Sequence, residues 1–476
     1  MPLVLTNTLT GRREPLVLRD PGHVRLYWCG VTVYAPSHVG HARALVSADV
    51  LYRYLRARGL RVTFVRNFTD IDDKIIQRAT AEGISAAELS EREIARFGED
   101  TAALGCLQPT LEPRATEHIP EMLALIERLV AKDLAYPAAG GSVYFRVRRF
   151  PEYGKLSHRR LDDMEPGEEI DAGKEDRHDF ALWKGAKPGE PTWESPWGPG
   201  RPGWHIECSA MAARYLGQPI DIHGGGSDLV FPHHENEIAQ SEGAADLPFA
   251  SLWVHNGMIT FGAEKMSKSI GNVRGIREVT SEVPGDALRL LFLQTHYRSP
   301  LDFSAGRLDE GRRTLERLCE ALARADDGAP PPAAPDIDGL LEHPRSDFER
   351  RVCEALDADL NAAQALGFVF ERITDLNRAL DGGDRPTARS IRAEIGRVTT
   401  ALGLVTGSPA ALLDAMQRTA RQRVALGSDE IEAAIEARTQ ARQRKDWGEA
   451  DAIRERLAAQ GIILKDGPSG TTWHAE

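Results

Sequence analysis

Apolar and polar positions in the first eighty residues follow two different periods, which predict alternating strands and helices. The segments VRLYWCGVTVY (24–34) and RVTFVRNFTD (61–70) are rich in β-branched and aromatic residues, as is typical of strands. Between them, HARALVSADVLYRYLRARG (41–59) places apolar residues at helical spacing and ends at a glycine. A second helix is expected within DIDDKIIQRATAEG (70–83), capped by Thr69 or Asp70. This order predicts an α/β fold built on a parallel sheet.

The later pattern divides the rest of the chain. Residues 133–203 are rich in Gly, Pro, Trp and turn signals, which indicates an insertion in the sheet domain. Helical spacing resumes at about residue 308, is interrupted by the Pro/Ala-rich linker 326–339, and ends before a terminal hairpin. We therefore predict these units: a Rossmann-type domain (1–120 and 203–250), an inserted connective subdomain (121–202), a loop region (251–307), an α-helical bundle (308–410) and a small C-terminal α/β domain (411–476).

Composition narrows the class of protein. The 476 residues are 42% hydrophobic and 27% charged, values typical of a globular protein. No apolar run is long enough for a membrane span, and the N-terminus lacks the pattern of a leader, so we expect a cytoplasmic protein. A net charge of −12 argues against wrapping nucleic acid but allows a local basic face. Five scattered cysteines are a poor disulfide framework and fit a reducing compartment.

The tetrapeptide His38-Val39-Gly40-His41 stands between the first strand and its helix. A helix N-terminus favours anions, His38 and His41 could donate to phosphate oxygens, and Gly40 permits close approach. Taken alone, the four residues are better explained as ordinary turn histidines near a cap.

The segment EKMSKSIGN (264–272) is too polar for a core. Lys265 and Lys268 could close over a triphosphate, although lysine pairs are also common in solvated loops. The joint pattern of HVGH and KMSKS, in this order, resembles the two signature sequences of class I aminoacyl-tRNA synthetases.

Four residues form a candidate metal set. Cys29 ends the first strand, and Cys208 lies in HIECSAM. If Pro232 begins a helix, His233 and Glu237 are four residues apart on one face. Thiolates, an imidazole and a carboxylate suit zinc, but buried cysteines and a polar helix face remain alternatives.

Longer motifs resemble the cysteinyl-tRNA synthetase family. They are YWCGVTVYAPSHVGHAR, NFTDIDDKIIQRA, GRPGWHIECSAM, DIHGGGSDLVFPHHENEIAQS and EKMSKSIGN, and the resemblance extends through DALRLLFLQTHYRSPLDFS to the terminal KDWGEADAIRERLAAQGIILKDGPSGTTW. It thus covers essentially the whole chain. The resemblance implies a ligase that activates L-cysteine with ATP, forms cysteinyl-adenylate and transfers the cysteinyl group to the 3′ end of tRNA(Cys).

The resemblance also implies roles for individual residues. One zinc ion per chain would be held by Cys29, Cys208, His233 and Glu237 and would bind the substrate thiolate, and Mg²⁺ would accompany ATP. Residues expected at the nucleotide are His38, Gly40, His41, Lys265, Lys268, Gly224, Gly225 and Gly226. Residues expected at the cysteine substrate are Thr69, Trp204 and Asp228.

The basic stretch RTQARQRKDW (438–447) would meet the tRNA anticodon region. Trp447 could stack on a base, and Arg442 and Arg444 could reach phosphates, although a solvated helix face is the default reading. We expect a monomer without a membrane partner. Alternatives are a cysteine–amino-sugar ligase of mycothiol synthesis, which shares the catalytic half but lacks the C-terminal tail, a non-catalytic RNA-binding paralogue, and a generic nucleotidyltransferase.

Overall fold

The computed structural model describes residues 2–164, 173–261, 264–265, 273–327, 335–423, 426–467 and 470–475. The strands of this described chain are β1 (Val4–Asn7), β2 (Arg12–Pro15), β3 (His23–Thr32), β4 (Arg61–Thr69), β5 (Ala135–Pro137), β6 (Val143–Phe145), β7 (Phe180–Gly185), β8 (Gly200–Pro202), β9 (Ile220–Gly226), β10 (Ala250–Asn256), β11 (Ile259–Phe261), β12 (Glu264–Lys265), β13 (Leu301–Asp302), β14 (Ile462–Gly467) and β15 (Gly470–Ala475). Its α-helices are α1 (Val39–Ala57), α2 (Asp73–Glu82), α3 (Ala86–Ala103), α4 (Ile119–Ala131), α5 (Trp204–Leu216), α6 (Glu235–Ala245), α7 (Ile276–Glu282), α8 (Gly285–Leu293), α9 (Ala305–Asp326), α10 (Asp347–Asp357), α11 (Ala362–Asp381), α12 (Arg385–Leu402), α13 (Pro409–Arg423), α14 (Ser428–Gln443) and α15 (Trp447–Ala458).

A parallel sheet in the order β10–β9–β3–β4 forms the centre of the first half of the chain. Its strands are buried over most of their length, as the near-continuous apolar runs in the sequence require when helices cover both faces. The prediction of a parallel sheet is confirmed. The first helix begins two residues before its predicted start, at Val39, so that HVGH lies at its N-terminus.

An antiparallel sheet in the order β5–β6–β7–β8 lies between β4 and β9 along the chain. Charged contacts attach it to the parallel-sheet domain. Asp73, in the first turn of α2, accepts a hydrogen bond from Lys184 Nζ at 2.7 Å and also pairs with the buried Arg201. The carboxylate of Glu235 accepts from the backbone N–H of Gly154 at 2.9 Å and of Ser157 at 2.8 Å. The insertion is therefore fixed against the beginning of α6.

A helical region follows the sheet domain, as the sequence predicts. Its apolar residues belong to the same hydrophobic cluster as α1 and β3, so the two parts share one core. Helices α14 and α15 and the β14–β15 hairpin instead enclose a small separate cluster, consisting of Ile431, Ile453, Leu457, Ile462 and Leu464. This separate cluster fits a small α/β unit at the C-terminus.

The cap of α2 differs from the expectation. Asp72 is the N-cap, and its side chain accepts from the Lys74 N–H at 2.9 Å. Thr69 and Asp70 have other partners, namely Glu207 and Thr116. The cap prediction was wrong because several adjacent residues have the right chemistry, and contacts remote in sequence decide between them. In the described ranges, none of the helices combines the length and apolar character that a bilayer span needs.

A buried ionic cluster joins the sheet domain to the helical region. Asp49 of α1 pairs with Arg289 of α8 and with Arg53, whose Nε lies 2.7 Å from the Asp49 carboxylate. Arg289 Nε also donates to the Leu402 carbonyl of α12 at 2.8 Å. All three charged side chains are nearly inaccessible to water, so removing one partner leaves a charge poorly compensated.

We predict that Arg289→Met lowers the free energy of unfolding by about 3 kcal/mol, because Asp49 loses one of its two cationic partners. Urea unfolding followed by circular dichroism measures the change. Arg378→Met is the matched control, since its side chain is 75% exposed and its pairing with Asp375 is screened by solvent. Equal unfolding midpoints for the two variants would contradict the structural role of the cluster.

Candidate metal and nucleotide sites

Four side chains from different elements meet near the carboxyl ends of the parallel strands. Cys29 comes from β3, Cys208 from α5, His233 from the turn before α6, and Glu237 from α6. One donor atom of each lies within 4.8 Å of the others, and all four residues are buried. Glu237 Oε1 lies 3.0 Å from His233 Nε2 and 3.3 Å from Cys29 Sγ. The structure thus brings together the four residues that the sequence singled out as a candidate zinc set.

The route to this geometry differs slightly from the prediction. Residues Val230–His234 form a π-helical turn, and the regular helix α6 begins at Glu235 rather than at Pro232. His233 and Glu237 are nevertheless four residues apart and face each other, so the predicted pairing holds although the helix start does not.

The electrostatics of the four residues indicate a place for a cation. Burial opposes ionisation of Cys208, but a hydrogen bond from Cys29 and the charge of His233 bring the pKa of its thiol down to about 6. Burial disfavours the charged imidazole of His233, yet the charges of Glu237 and Cys208 raise its pKa to about 10. A proton on His233 therefore balances anionic neighbours, and a metal ion would displace that proton. The donor set, with two sulfurs, a nitrogen and a carboxylate oxygen, suits zinc.

A second, overlapping set shares two of these residues. Cys29 and Glu237 also lie within 4.8 Å of donor atoms on His223 and His234. His223 Nε2 is 2.8 Å from Glu237 Oε2, the carboxylate oxygen turned away from His233. His234 Nε2 is 3.2 Å from Cys29 Sγ. With only one sulfur, this set is less suited to a soft thiophilic ion than the first.

The three residues predicted at the cysteine substrate differ in their burial and in their contacts with the candidate metal set. The Trp204 ring stacks on His233, with centroids 4.4 Å apart and planes at 23°. Thr69 is buried and donates its hydroxyl to Glu207 Oε2 at 2.7 Å. Asp228 is exposed in the turn that follows β9. Trp204 therefore contacts the predicted metal ligand His233 directly, whereas the side chain of Asp228 is accessible to a small molecule from solvent.

The glycines at the end of β9 have packing roles that the sequence did not reveal. A Cβ at Gly224 would collide with the Trp28 ring, and one at Gly226 would collide with the Asp228 carboxylate. A Cβ at Gly225 would lie 2.9 Å from His234 Cε1. Gly224 and Gly225 must therefore be small for the strand to pack here, whether or not a nucleotide approaches them, whereas at Gly226 the exposed Asp228 side chain could move aside.

The HVGH motif occupies the N-terminus of α1, as predicted. The rings of His38 and His41 stack with centroids 3.8 Å apart, and the His38 N–H donates to His41 Nδ1 at 3.3 Å. The segment Arg274–Ile276 lies directly against this motif. Val39 N–H donates to the Arg274 carbonyl and Ile276 N–H to the Ser37 carbonyl, both at 3.0 Å.

The structure describes the residues at the start of the lysine motif and those that follow it. Lys265 forms part of the short strand β12, and its side chain and the whole of Lys268 lie outside the described residues. The chain is described again from residue 273, immediately before its contact with HVGH. The lysine motif, which ends at residue 272, is therefore followed within two residues by a segment that contacts HVGH.

The three residues predicted to contact tRNA lie in the C-terminal unit. Arg442 pairs with Asp466 and Arg444 with Glu449, both at 2.8 Å. Trp447 begins α15 and is 58% exposed. A phosphate contact by either arginine would therefore compete with an existing carboxylate, whereas the indole face is available.

Several buried polar residues next to the candidate metal set were not predicted from the sequence. His205 Nδ1 lies 3.1 Å from His233 Nδ1, and His223 contacts Glu237 as described above. Glu207 is fully buried, and burial raises its pKa well above the usual range. The signal was present, since each lies within two or three residues of a candidate ligand or glycine motif. Which of them faces the site depends on contacts between separate elements.

Three family sequence models match the chain, and together they span most of it. The catalytic domain of class I (C) tRNA synthetases matches residues 16–313, a DALR domain matches residues 351–406, and a cysteinyl-tRNA ligase anticodon binding domain matches residues 427–473.

Solved structures share the fold at low identity. A Mycobacterium tuberculosis methionyl-tRNA synthetase in complex with methionyl-adenylate covers 82% of this chain and 93% of its own, with a TM-score of 0.58 and 18% identity. A ternary LeuRS–tRNA–LeuAMS complex from Agrobacterium radiobacter covers 85% and 86%, with a TM-score of 0.57 and 12% identity. At this identity the likeness establishes the class I fold.

Curated relatives match the chain from end to end. The cysteine–tRNA ligase of Geobacter sulfurreducens is 52% identical over 99% of both chains, and that of Nitratidesulfovibrio vulgaris is 47% identical over 98% of this chain and 99% of its own. Together with the catalytic and anticodon-binding family models, these matches identify the chain as a ligase that belongs to the class I cysteinyl-tRNA synthetase family.

Proposed function

We propose that this enzyme activates L-cysteine with ATP and transfers the cysteinyl group to the 3′ end of tRNA(Cys). In the first step a carboxylate oxygen of cysteine attacks the α-phosphorus of ATP, which gives cysteinyl-adenylate and pyrophosphate. In the second, a terminal hydroxyl of the tRNA takes the cysteinyl group and AMP leaves. The observation that carries the proposal is the convergence of Cys29, Cys208, His233 and Glu237 in the core of a chain whose HVGH motif begins helix α1.

Cys29, Cys208, His233 and Glu237 would hold one zinc ion per chain. When bound, zinc would favour sulfur over oxygen and ease ionisation of the substrate thiol, which separates cysteine from serine. Neighbouring residues orient these side chains: His223 contacts the far oxygen of Glu237, and His205 contacts Nδ1 of His233. Because a partner that discriminates thiol from hydroxyl can reject serine at binding, the enzyme would need no editing domain.

The walls of the amino-acid pocket would come from Trp204, Thr69 and Asp228. Trp204 stacks on His233 and would exclude water from one side of the predicted metal position. Thr69 is held by its hydrogen bond to Glu207 and would form the inner end of the pocket. Asp228 would meet the ammonium group of the substrate, a role supported by its exposed carboxyl group in the turn after β9.

ATP would bind at the N-terminus of α1. There His38 and His41, with backbone N–H groups and the small Gly40, would stabilise charge on the phosphates. Lys265 and Lys268 would approach from the segment that Arg274 and Gly275 join to HVGH, and Mg²⁺ would accompany the pyrophosphate. Gly224, Gly225 and Gly226 would leave room for the adenylate at the end of β9.

The C-terminal unit would bind the anticodon region of tRNA(Cys). This follows from the match of residues 427–473 to an anticodon binding domain. We propose Trp447 as a stacking surface, with Arg442 and Arg444 exchanging their carboxylate partners for phosphates. The same match disfavours the mycothiol-type alternative, which would lack this tail. We propose that the enzyme works as a monomer with the domain boundaries given above.

We predict that Cys208→Ser lowers zinc content from about one ion per chain to a small fraction, and that cysteine-dependent ATP–pyrophosphate exchange falls by more than about a hundredfold. Cys208 belongs to the first donor set and not to the overlapping one, so the variant distinguishes between them. Metal analysis and exchange assays with cysteine and serine measure the effect.

The matched control for this experiment is Cys106→Ser, a cysteine outside both donor sets and only partly buried. It should keep zinc and activity. Retention of zinc by Cys208→Ser would assign the metal to Cys29, His223, His234 and Glu237 instead. Exchange by a zinc-free enzyme would contradict the metal-based selection of cysteine.

We predict that His38→Ala slows ATP–pyrophosphate exchange by about a hundredfold while zinc content stays unchanged, because the side chain acts on phosphate charge and not on the metal. The exposed His343→Ala is the control and should behave as the wild type. A rate for His38→Ala within about threefold of the wild type would remove His38 from the proposed nucleotide site.

A further inference from the structure

A continuous series of hydrogen bonds connects Cys29 to the N-terminal hairpin. Cys29 Sγ is 3.2 Å from His234 Nε2, and the other nitrogen of that ring, Nδ1, is 2.8 Å from His255 Nε2. His255 Nδ1 is in turn 2.8 Å from the hydroxyl of Thr8, in the turn between β1 and β2. Three elements remote in sequence thus meet in one chain of contacts that leads to a predicted zinc ligand.

The two imidazoles in this series are confined to the core and meet in one nitrogen–nitrogen contact. In that contact one nitrogen donates a hydrogen and the other accepts it. The Trp253 ring lies beside both histidines, and Gly225 leaves the space that the His234 ring occupies. A neutral imidazole has one N–H donor and one acceptor nitrogen. When one nitrogen of such a ring donates a hydrogen bond, the other nitrogen must therefore accept one.

The state of Cys29 fixes that direction. A zinc-bound thiolate carries no proton, so His234 Nε2 must donate to it. His234 Nδ1 then accepts from His255 Nε2–H, and His255 Nδ1 accepts from the hydroxyl of Thr8. Each of the three contacts then contains one hydrogen, and the hydroxyl of Thr8 is the first donor in the series. Glu237 Oε1, at 3.9 Å from His234 Nε2, is too distant to take this hydrogen bond instead.

The hairpin holds Thr8 in place without help from its side chain. Thr8 N–H donates to the Trp253 carbonyl at 2.8 Å, and the Trp253 N–H donates to Asn7 Oδ1 at 3.1 Å. The hydroxyl of Thr8 is therefore presented to His255 from a fixed backbone. Removing the hydroxyl should change the hydrogen-bond series and leave the hairpin where it is.

We propose that Thr8, His255 and His234 are positioning residues that fix the tautomer of the His234 ring and thereby orient the Cys29 thiolate for zinc. This inference rests on the proposed zinc site. It assigns a function to the N-terminal hairpin, which lies outside the parallel sheet and contributes no ligand.

The test compares Thr8→Val, which keeps the shape of the side chain but lacks the hydroxyl, with Thr8→Ser, which keeps the hydroxyl. Zinc affinity is measured on the full-length protein by competition with a chelator. The sulfur-to-metal charge-transfer band is recorded after substitution with Co²⁺. We expect Thr8→Val to bind zinc about tenfold more weakly, the lower end for loss of an outer partner of a ligand, and to shift this band. Thr8→Ser should restore both values.

Thr10→Val is the matched control. Thr10 lies in the same turn, but its hydroxyl donates to the carboxylate of Glu14 on the exposed side of the hairpin. It should equal the wild type. Thr8→Val with wild-type affinity and band, or Thr8→Ser as weak as Thr8→Val, would overturn the proposal. If Thr8→Val fails to give the wild-type circular dichroism spectrum, Thr8→Ala undergoes the same comparison. Absence of zinc binding by the wild type would instead overturn the proposed function.

Discussion

The constraint on which the site depends is the burial of ionisable donors in a sheet core. Cys29, Cys208, His233 and Glu237 are withdrawn from water, where isolated charges are costly unless they are paired or bind a cation. Their mutual contacts supply part of the compensation, and a metal ion would supply the rest. The elements that carry them must therefore be held in position to within about 0.5 Å.

The surrounding architecture meets this requirement from several directions. The insertion is tied to the start of α6 through Glu235, which sits two residues before Glu237. The N-terminal hairpin reaches the same site through Thr8 and His255. Farther away, the Asp49–Arg289 pair holds α1 against the helical region and so fixes the helix whose N-terminus carries HVGH. Each attachment joins segments that are distant along the chain.

Much of this could be predicted from the sequence, because its signals are local. Strand and helix periods defined the parallel sheet, and the spacing of His233 and Glu237 placed them on one face even though the helix begins later than expected. The missed features depend on contacts between elements. His223, His234 and Glu207 lie next to candidate motifs in the sequence, but that local signal does not show which of them faces the site. Nor does it show the packing function of Gly225 or the choice of Asp72 as cap. These features follow from which strands become neighbours.

The most direct test of the account is X-ray absorption at the zinc edge, recorded on the full-length enzyme with and without L-cysteine. Zinc held by Cys29 and Cys208 should show two sulfur neighbours at about 2.3 Å in the free enzyme, and a third sulfur neighbour when cysteine binds. Serine should leave the spectrum unchanged. A single sulfur neighbour, or a sulfur count that does not rise with cysteine, would contradict selection of the substrate by its thiolate.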